Sequence, residues 1–237
     1  MTYVLGNLSA TYDGTGKAAT VTATPTGIAA TLTYNGSTTA PSAAGSYAVV
    51  ASSANANYTG SANATLVIGQ ASQTLTFPSP GQVTVRTPVT LGATASSGLG
   101  VTYQVIAGEA TLSGATLTIN SAASAVGLRA TQAGDNNYTA ASADLTIGLG
   151  SITKLTQTIT FPAIGEKRVN DGPFELTATA SSGLTVSYTV VSGPAMLSGS
   201  TITMTGATGT VTIRADQAGN DVYAAAAAVS QSFEATQ

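Results

Sequence analysis

Polar and apolar residues alternate with period two along much of this chain, the pattern of strands that turn one face to a core and the other to water. Residues 3–8 and 20–24 show it first, with the turn-forming run Tyr12-Asp13-Gly14-Thr15-Gly16-Lys17 between them. Thr31-Leu32-Thr33-Tyr34 then runs into Asn35-Gly36, the strongest short hairpin signal, because both central positions of a type I′ turn need positive φ. Residues 45–50 and a stretch ending in Leu66-Val67-Ile68 complete a first block of strands. Further on, alternation marks Leu91, Ala93, Ala95, Val101, Tyr103, Val105, Leu117, Ile119, Val126, Leu128, Ala130, Leu145 and Ile147 as inward positions. A third set, Leu176, Val186, Tyr188, Val190, Ile202, Met204, Val211, Ile213 and Ala215, follows the same rhythm.

The last two sets are copies of one another. QTLTFP at Gln73 returns as QTITFP at Gln157, and ATASSGL occurs twice, beginning at Ala93 and at Ala178. A repeat of this length is one folded unit written again along the chain, so the architecture is a row of small domains. The copies slip by one residue where PSPGQVTVRTP becomes PAIGEKRVNDGP. An insertion is tolerated where no buried backbone hydrogen bond is lost, which makes this stretch a surface loop between ladders. The expected borders are 1–69, 70–153 and 154–237. The run Gly148-Leu149-Gly150-Ser151 is expected to make the second junction the more flexible one.

In the first block the order YDGTGKAATVTATP, LTYNGSTTAPSAAGSYAVVAS, NANYTGSANATLVI is similar to the MBG family, small repeated modules of large bacterial surface and secreted proteins. The resemblance implies a stalk or spacer role with no catalytic residues to carry over, and leaves the fold open between a β-sandwich and a β-grasp-like sheet. The later blocks resemble bacterial immunoglobulin-like domains. Their seven or so short strands, with glycine turns at Ser113-Gly114 and Ser198-Gly199, suit a two-sheet sandwich. The fold class expected is therefore all-β, a tandem array of three small β domains, the last two immunoglobulin-like β-sandwiches.

All three blocks close alike, with Tyr58, Tyr138 and Tyr223 just ahead of the final strand. Each is expected to act as a tyrosine corner, its ring packed and its hydroxyl tied to the backbone.

Composition narrows the chemistry. Only 7% of residues are charged and 43% are hydrophobic, dominated by Ala and Val among abundant Thr, Ser and Gly, which is β-rich rather than disordered. Seven scattered basic residues and a net charge of −3 argue against nucleic-acid binding. The absence of Cys leaves packing alone to hold each domain. Without His or Cys the commonest general base, the thiol nucleophile and most zinc sites are missing. Ten carboxylates remain, read singly on turns or outward positions, so no enzyme activity and no cofactor are expected.

Four weaker constellations are weighed against plain strand and turn chemistry. Asp135, Asn136, Asn220 and Asp221 offer oxygens to calcium, but calcium wants six to eight ligands and Asx turns use the same residues. Arg129 and Arg214 point away from the core, toward a ligand, a neighbouring domain or solvent. Thr116-Leu117-Thr118 and Thr201-Ile202-Thr203 read as sandwich strands rather than a flat threonine ladder. Lys17, Lys154 and Lys167, the available donors for a Lys–Asn crosslink, fall at unmatched positions.

No signal peptide opens the sequence, and Ala235-Thr236-Gln237 looks like the opening of a further unit, so the chain reads as a piece cut at a repeat border. The function expected is a non-enzymatic stalk or spacer of a bacterial cell-surface or secreted, adhesin-like protein. The alternatives are a glycan- or protein-binding adhesion module and a part of a phage or other extracellular fibre. Its partners would be neighbouring domains of the same chain, with a host glycan or protein as a further candidate. Neither nucleic acid nor membrane insertion is expected, and the fragment would be monomeric or fibre-forming.

Overall fold

A computed structural model describes residues 1–237. The architecture is all-β, a tandem array of three small β domains, and its one helical element is the single 3-10 turn Leu149–Ser151. No helix is long and apolar enough to cross a membrane. The chain packs as two compact units, the first comprising Met1–Ser79, Leu91–Gln104 and Leu128–Leu145, the second Pro80–Thr90, Val105–Gly127 and Thr146–Gln237.

In the first unit, block one is a two-layer sandwich. Ser9–Thr11, Ser61–Gly69, Gly45–Ser53 and Ala30–Tyr34 form one sheet in that order, and Thr2–Gly6 pairs with Thr20–Thr24 in the other. Alternation explains the core: Val49, Ala51, Leu66 and Ile68 are buried, while Val50 and Val67 between them face water. Leu5 of the ribbon packs onto this cluster. With no helix to cover a sheet, the β-grasp alternative gives way to the sandwich. Asn35 and Gly36 have φ of 47° and 89°, and Tyr34 and Ser37 exchange backbone hydrogen bonds of 2.6 and 3.0 Å, the expected type I′ turn. The chain does not return directly as the paired strand, however. Ala30–Tyr34 pairs with Gly45–Ser53, reached only after a further loop. The unit also holds the antiparallel pair Leu75–Thr76 and Thr94–Ala95 of the second block.

In the second unit, Val89–Thr90 and Ala110–Ser113 flank Thr116–Ile119, and Val83–Thr84 runs parallel to Ile152–Thr153. Block three repeats these pairings. Ala195–Ser198 and Phe174–Glu175 flank Thr201–Met204. The opposite sheet runs in the order Lys167–Arg168, Val229–Thr236, Gly209–Asp216, Ser187–Ser192. One core joins both sheets, with Ile202 from one, Leu176 just past its strand Phe174–Glu175, and Val211, Ile213 and Phe233 from the other, and Phe174 meets Phe233 edge-on at 5.8 Å. Every inward position read from alternation is buried or half-buried. In each block a short early strand runs parallel to the last one.

Two expectations about the borders change. Gly148–Ser151 is not a linker. It is a 3-10 turn inserted between Ala141–Ile147 and Ile152–Thr153, which still pairs with Val83–Thr84, so its glycines lie within block two rather than at the second border. Ala235-Thr236 does not open a further unit either, since both residues lie in the last strand of block three, paired with Lys167 and Arg168.

Candidate functional site

The words that the chain writes twice meet in space. Gln73 is buried, and its side-chain amide donates to Gln132 Oε1 at 2.5 Å and to the Thr139 carbonyl at 2.7 Å. Ser97 donates to Gln73 Oε1 at 2.5 Å, and the Gly134 amide donates to Gln132 Oε1. Block three repeats every bond. Gln157 donates to Gln217 Oε1 at 2.6 Å and to the Ala224 carbonyl at 2.7 Å, Ser182 donates to Gln157 Oε1, and the Gly219 amide donates to Gln217. Gly134 and Gly219 take φ of 79° and 78°, and a Cβ there would strike the carbonyl of Tyr138 or Tyr223, so only glycine closes this turn. The repeated Gln, Ser and Gly are thus one buried, satisfied polar knot that fixes the loop ahead of the last strand. Gln73 and Ser97 belong to the repeated strings QTLTFP and ATASSGL, and Gln132 and Gly134 to a further repeated run, Gln-Ala-Gly, at 132–134 and 217–219. The signal was there in the identity of polar residues between the copies, since a repeated polar residue on an inward phase must find a partner.

The tyrosines change places. Tyr58 is 41% exposed, so it does not cap a core. Tyr138 is half-buried and its ring stands edge-on to Tyr12 of block one, centroids 5.3 Å apart. Tyr223 is half-buried, and its carbonyl accepts from the Asn220 amide at 2.9 Å. The packed ring with a hydroxyl tied to backbone is found instead at Tyr34, Tyr103 and Tyr188, whose hydroxyls accept from the amides of Ala19, Ala93 and Ala178 at 2.8 to 2.9 Å. Each of those amides precedes a strand and has no ladder partner, which is why a side chain must supply the acceptor. Tyr103 and Tyr188 also lean on Phe77 and Phe161 at 5.6 and 5.7 Å.

The loop held by the polar knot faces the block before it. In the first unit, Ala71 donates its amide to the Asn137 carbonyl at 2.8 Å and accepts from the Thr139 amide at 2.9 Å, so the residue after the border forms a parallel bridge with the loop. Gln70 donates to the Asp135 carbonyl at 2.6 Å, and the Ala44 amide of block one donates to Asn137 Oδ1 at 2.9 Å. In the second unit the device recurs. Leu155 donates to the Val222 carbonyl and accepts from the Ala224 amide, both at 2.8 Å. The Ala122 amide of block two donates to the Asp221 carbonyl at 2.8 Å. Ala44 and Ala122 both lie in a Ser-Ala-Ala loop ahead of the next-to-last strand of their block.

This geometry also accounts for the calcium candidates. Asp135 Oδ1 accepts the amides of Asn137 and Tyr138, both at 2.8 Å, and Asn220 Oδ1 accepts those of Val222 and Tyr223 at 2.9 and 2.8 Å. These are Asx turns. Asn136 is exposed, and the Asp221 carboxylate lies 4.0 Å from Lys154 Nζ across the second border. No three acidic side chains gather around one point. Arg129 makes a two-pronged bond with Asp144 on the adjacent strand, 2.7 Å at each prong, and Arg214 bonds Asp216 at 2.8 Å. Lys17 pairs with Asp13, and Lys167 stands 4.6 Å over the Phe174 ring. The threonine pairs belong to hairpins, with Leu117 and Ile202 between them fully buried.

The carboxylates of Asp13, Asp144 and Glu175 are held below their ordinary values, by hydrogen bonds from Lys17, from Arg129 and from the Ser200 and Thr201 hydroxyls respectively. A depressed carboxylate adds stability above its unfolded value of about 4 and loses it as pH falls through the folded value. With no histidine in the chain, the melting temperature is expected to stay flat from about pH 5 to 8 and to fall below about pH 4. Melting curves across this range check it. A step near pH 6.5 would contradict it.

Residues 2–72 match the MBG domain model. No curated protein matches the chain. Among solved structures, the D00-D0 domain of intimin aligns over 67% of this chain and 98% of its own, at 18% identity and a TM-score of 0.27. The titin I-band fragment I67-I69 aligns over 99% and 97%, at 14% identity and a TM-score of 0.35. Domains 4-9 of the surface layer protein SbsC align over 87% and 37%, at 10% identity and a TM-score of 0.24.

Proposed function

We propose that this chain is a non-enzymatic spacer of a bacterial surface or secreted protein, three β domains with borders near residues 69 and 153, set in series by a repeated border contact. The observation that carries the reading is that contact. The residue entering a domain bridges to the loop before its last strand, and the same loop takes an amide from the preceding domain, at both borders. A buried glutamine knot holds that loop in place. Such a device transmits position from one domain to the next, which a spacer needs and an isolated binding module does not. The MBG match over the first block supports a surface-protein setting, outside the cell. The buried polar side chains, Gln73, Gln132, Gln157 and Gln217 among them, are engaged with one another and with the backbone of the loop ahead of the last strand.

Pulling single molecules from both ends tests this. Three unfolding events are expected, each releasing about 240 to 300 Å of chain for a domain of about 70 to 85 residues. One cooperative event, or events of very unequal length, would remove the three-domain spacer. A glycan array and a pull-down with the same fragment are expected to retain nothing. Saturable retention would replace the spacer by an adhesion module.

A further inference from the structure

With neither Cys nor Trp in the chain, its nine tyrosines are the side chains that most readily give up a single electron. Methionine, the other oxidisable residue, takes up an oxygen atom instead. The nine hydroxyls fall into two groups. Those of Tyr34, Tyr103 and Tyr188 accept backbone amides, that of Tyr47 donates to the Ala43 carbonyl at 2.9 Å, and that of Tyr3 donates to Met1 Sδ at 3.6 Å. The hydroxyls of Tyr12, Tyr58, Tyr138 and Tyr223 have no protein partner, and none of these four residues is buried. Two of the four meet. Tyr12 stands just past Ser9–Thr11 of block one and Tyr138 in the loop ahead of the last strand of block two, their ring centroids 5.3 Å apart and their planes at 81°. The backbone beneath each ring is pinned, since the Tyr12 amide donates to the Gly69 carbonyl and the Tyr138 amide to Asp135 Oδ1, both at 2.8 Å. The second border is built differently. No ring stands against Tyr223, and Lys154 faces Asp221 across that border at 4.0 Å.

We propose that Tyr12 and Tyr138 are a site of oxidative crosslinking, where a peroxidase with hydrogen peroxide couples the two phenols into a covalent staple across the first border. Each phenol loses one electron and its hydroxyl proton, and the two radicals join through a carbon ortho to each oxygen. The hydrogen on each joined carbon then leaves as a proton while each oxygen regains one. The peroxide takes up the two electrons and two protons and becomes two waters, so the product is the chain less two hydrogen atoms. The geometry suits each step. An open hydroxyl passes its proton to water as the electron leaves, which the Tyr34 hydroxyl, buried against the Ala19 amide, does not do. Pinned backbones hold the rings together, so the radicals meet as parts of one molecule rather than by collision between chains. Edge-on packing sets the rim of one ring against the face of the other, and a side-chain rotation, without backbone movement, brings two ortho carbons together. In a chain without cysteine, such a bond ties two blocks as a disulfide would.

The test treats the full chain, dilute enough to disfavour coupling between molecules, with a peroxidase and hydrogen peroxide, and follows dityrosine fluorescence and intact mass. A parallel tube in which N-acetyltyrosine dimerises shows that the oxidant is active. The expected product is a fluorescent monomer two hydrogen atoms lighter, whose tryptic digest joins residues 1–17 to residues 130–154. Tyr12→Phe and Tyr138→Phe each keep the ring and should lower its yield at least about tenfold. Tyr58→Phe removes an exposed hydroxyl and should leave the monomer product unchanged, reducing only crosslinks between chains. When the stapled chain is pulled from both ends, the stretch between Tyr12 and Tyr138 should no longer lengthen, while the release from the third domain stays as it was. A monomer of unchanged mass beside an active oxidant overturns the proposal. A monomer crosslink that survives Tyr138→Phe overturns it too, because the bond then belongs to a different pair. So does an equal yield in urea, where the rings are no longer held together.

Discussion

Tyr188→Ala is expected to lower the melting temperature of the third domain by about 12 to 25 °C and to leave the other two transitions in place. The ring packs within the core of block three and lies 5.7 Å from Phe161. Deleting a packed aromatic costs about 3 to 5 kcal/mol, and half-burial puts this one at about 3. For a domain of this size each kcal/mol is worth about 4 to 8 °C. Tyr188→Phe keeps the ring and removes the hydroxyl that accepts from the Ala178 amide at 2.8 Å and donates to the Ala178 carbonyl at 3.4 Å. That amide is left without a strand partner, so the cost is about 1 to 2 kcal/mol rather than the 0.5 of an exposed bond. Tyr103→Ala and Tyr103→Phe should repeat the pair of values in block two, where the Ala93 amide and Phe77 stand in the same places. Tyr58→Ala should cost less than about 1 kcal/mol, because Tyr58 is exposed and belongs to no core cluster. Calorimetry of the single variants settles the order. Equal losses for Tyr188→Ala and Tyr188→Phe would mean that the ring adds nothing to the core, and a large loss at Tyr58 would restore the corner to the loop.

The contrast between these tyrosines shows what a sequence of this kind discloses. Alternation is a direct imprint of burial on a strand, so the inward phase of Val211, Ile213 and Ala215, or of Leu117 and Ile119, could be read without a structure. The Asn35-Gly36 turn was equally legible, since the conformation it needs is one that few residues adopt. The fate of Tyr58, Tyr138 and Tyr223 was not. Their shared position ahead of the last strand is real, but whether a ring there faces its own core or a neighbour depends on where the loop points, which no local pattern encodes. The same alternation turns Tyr103 and Tyr188 inward, but which open amide each hydroxyl reaches depends on how the strands stack, which alternation does not encode. The glutamines went unread for a related reason. A polar residue in a strand-like word passes for an outward position until its inward phase is counted, and here Gln157 sits in phase with Ile159 and Phe161, all three buried. Gly148–Ser151 misled in the opposite direction, because glycine marks a turn inside a strand as readily as a flexible border.

That phase makes Gln157 the residue whose replacement should be most informative. Its amide serves two acceptors, Gln217 Oε1 and the Ala224 carbonyl, and its carbonyl oxygen accepts from Ser182, with both glutamines buried. Gln157→Ala strands three groups at once, and a buried unpaired group costs about 1 to 3 kcal/mol. Gln217 Oε1 keeps the Gly219 amide, which limits its share. The sum is about 3 to 5 kcal/mol, a large share of the stability of a domain of this size. Gln157→Glu has the same shape and gives a sharper reading. As a carboxylate it would face two acceptors with an acceptor, and burial disfavours its charged form, so its folded pKa must lie above the unfolded value of about 4.3. The native state then binds the proton more tightly than the unfolded chain, and stability falls as pH rises from the unfolded value through the folded one. The parent chain has the opposite tendency at its acidic end, where Asp13, Asp144 and Glu175 lose their contribution as pH falls. Gln157→Glu should therefore melt near the parent at about pH 4 and well below it at pH 7, with the loss confined to the third domain. Gln73→Glu should do the same in the second, through Gln132 and Thr139. Glutamate variants that melt alike at both pH values would show that water reaches the knot, and that the loop ahead of the last strand is held by its Asx turn alone.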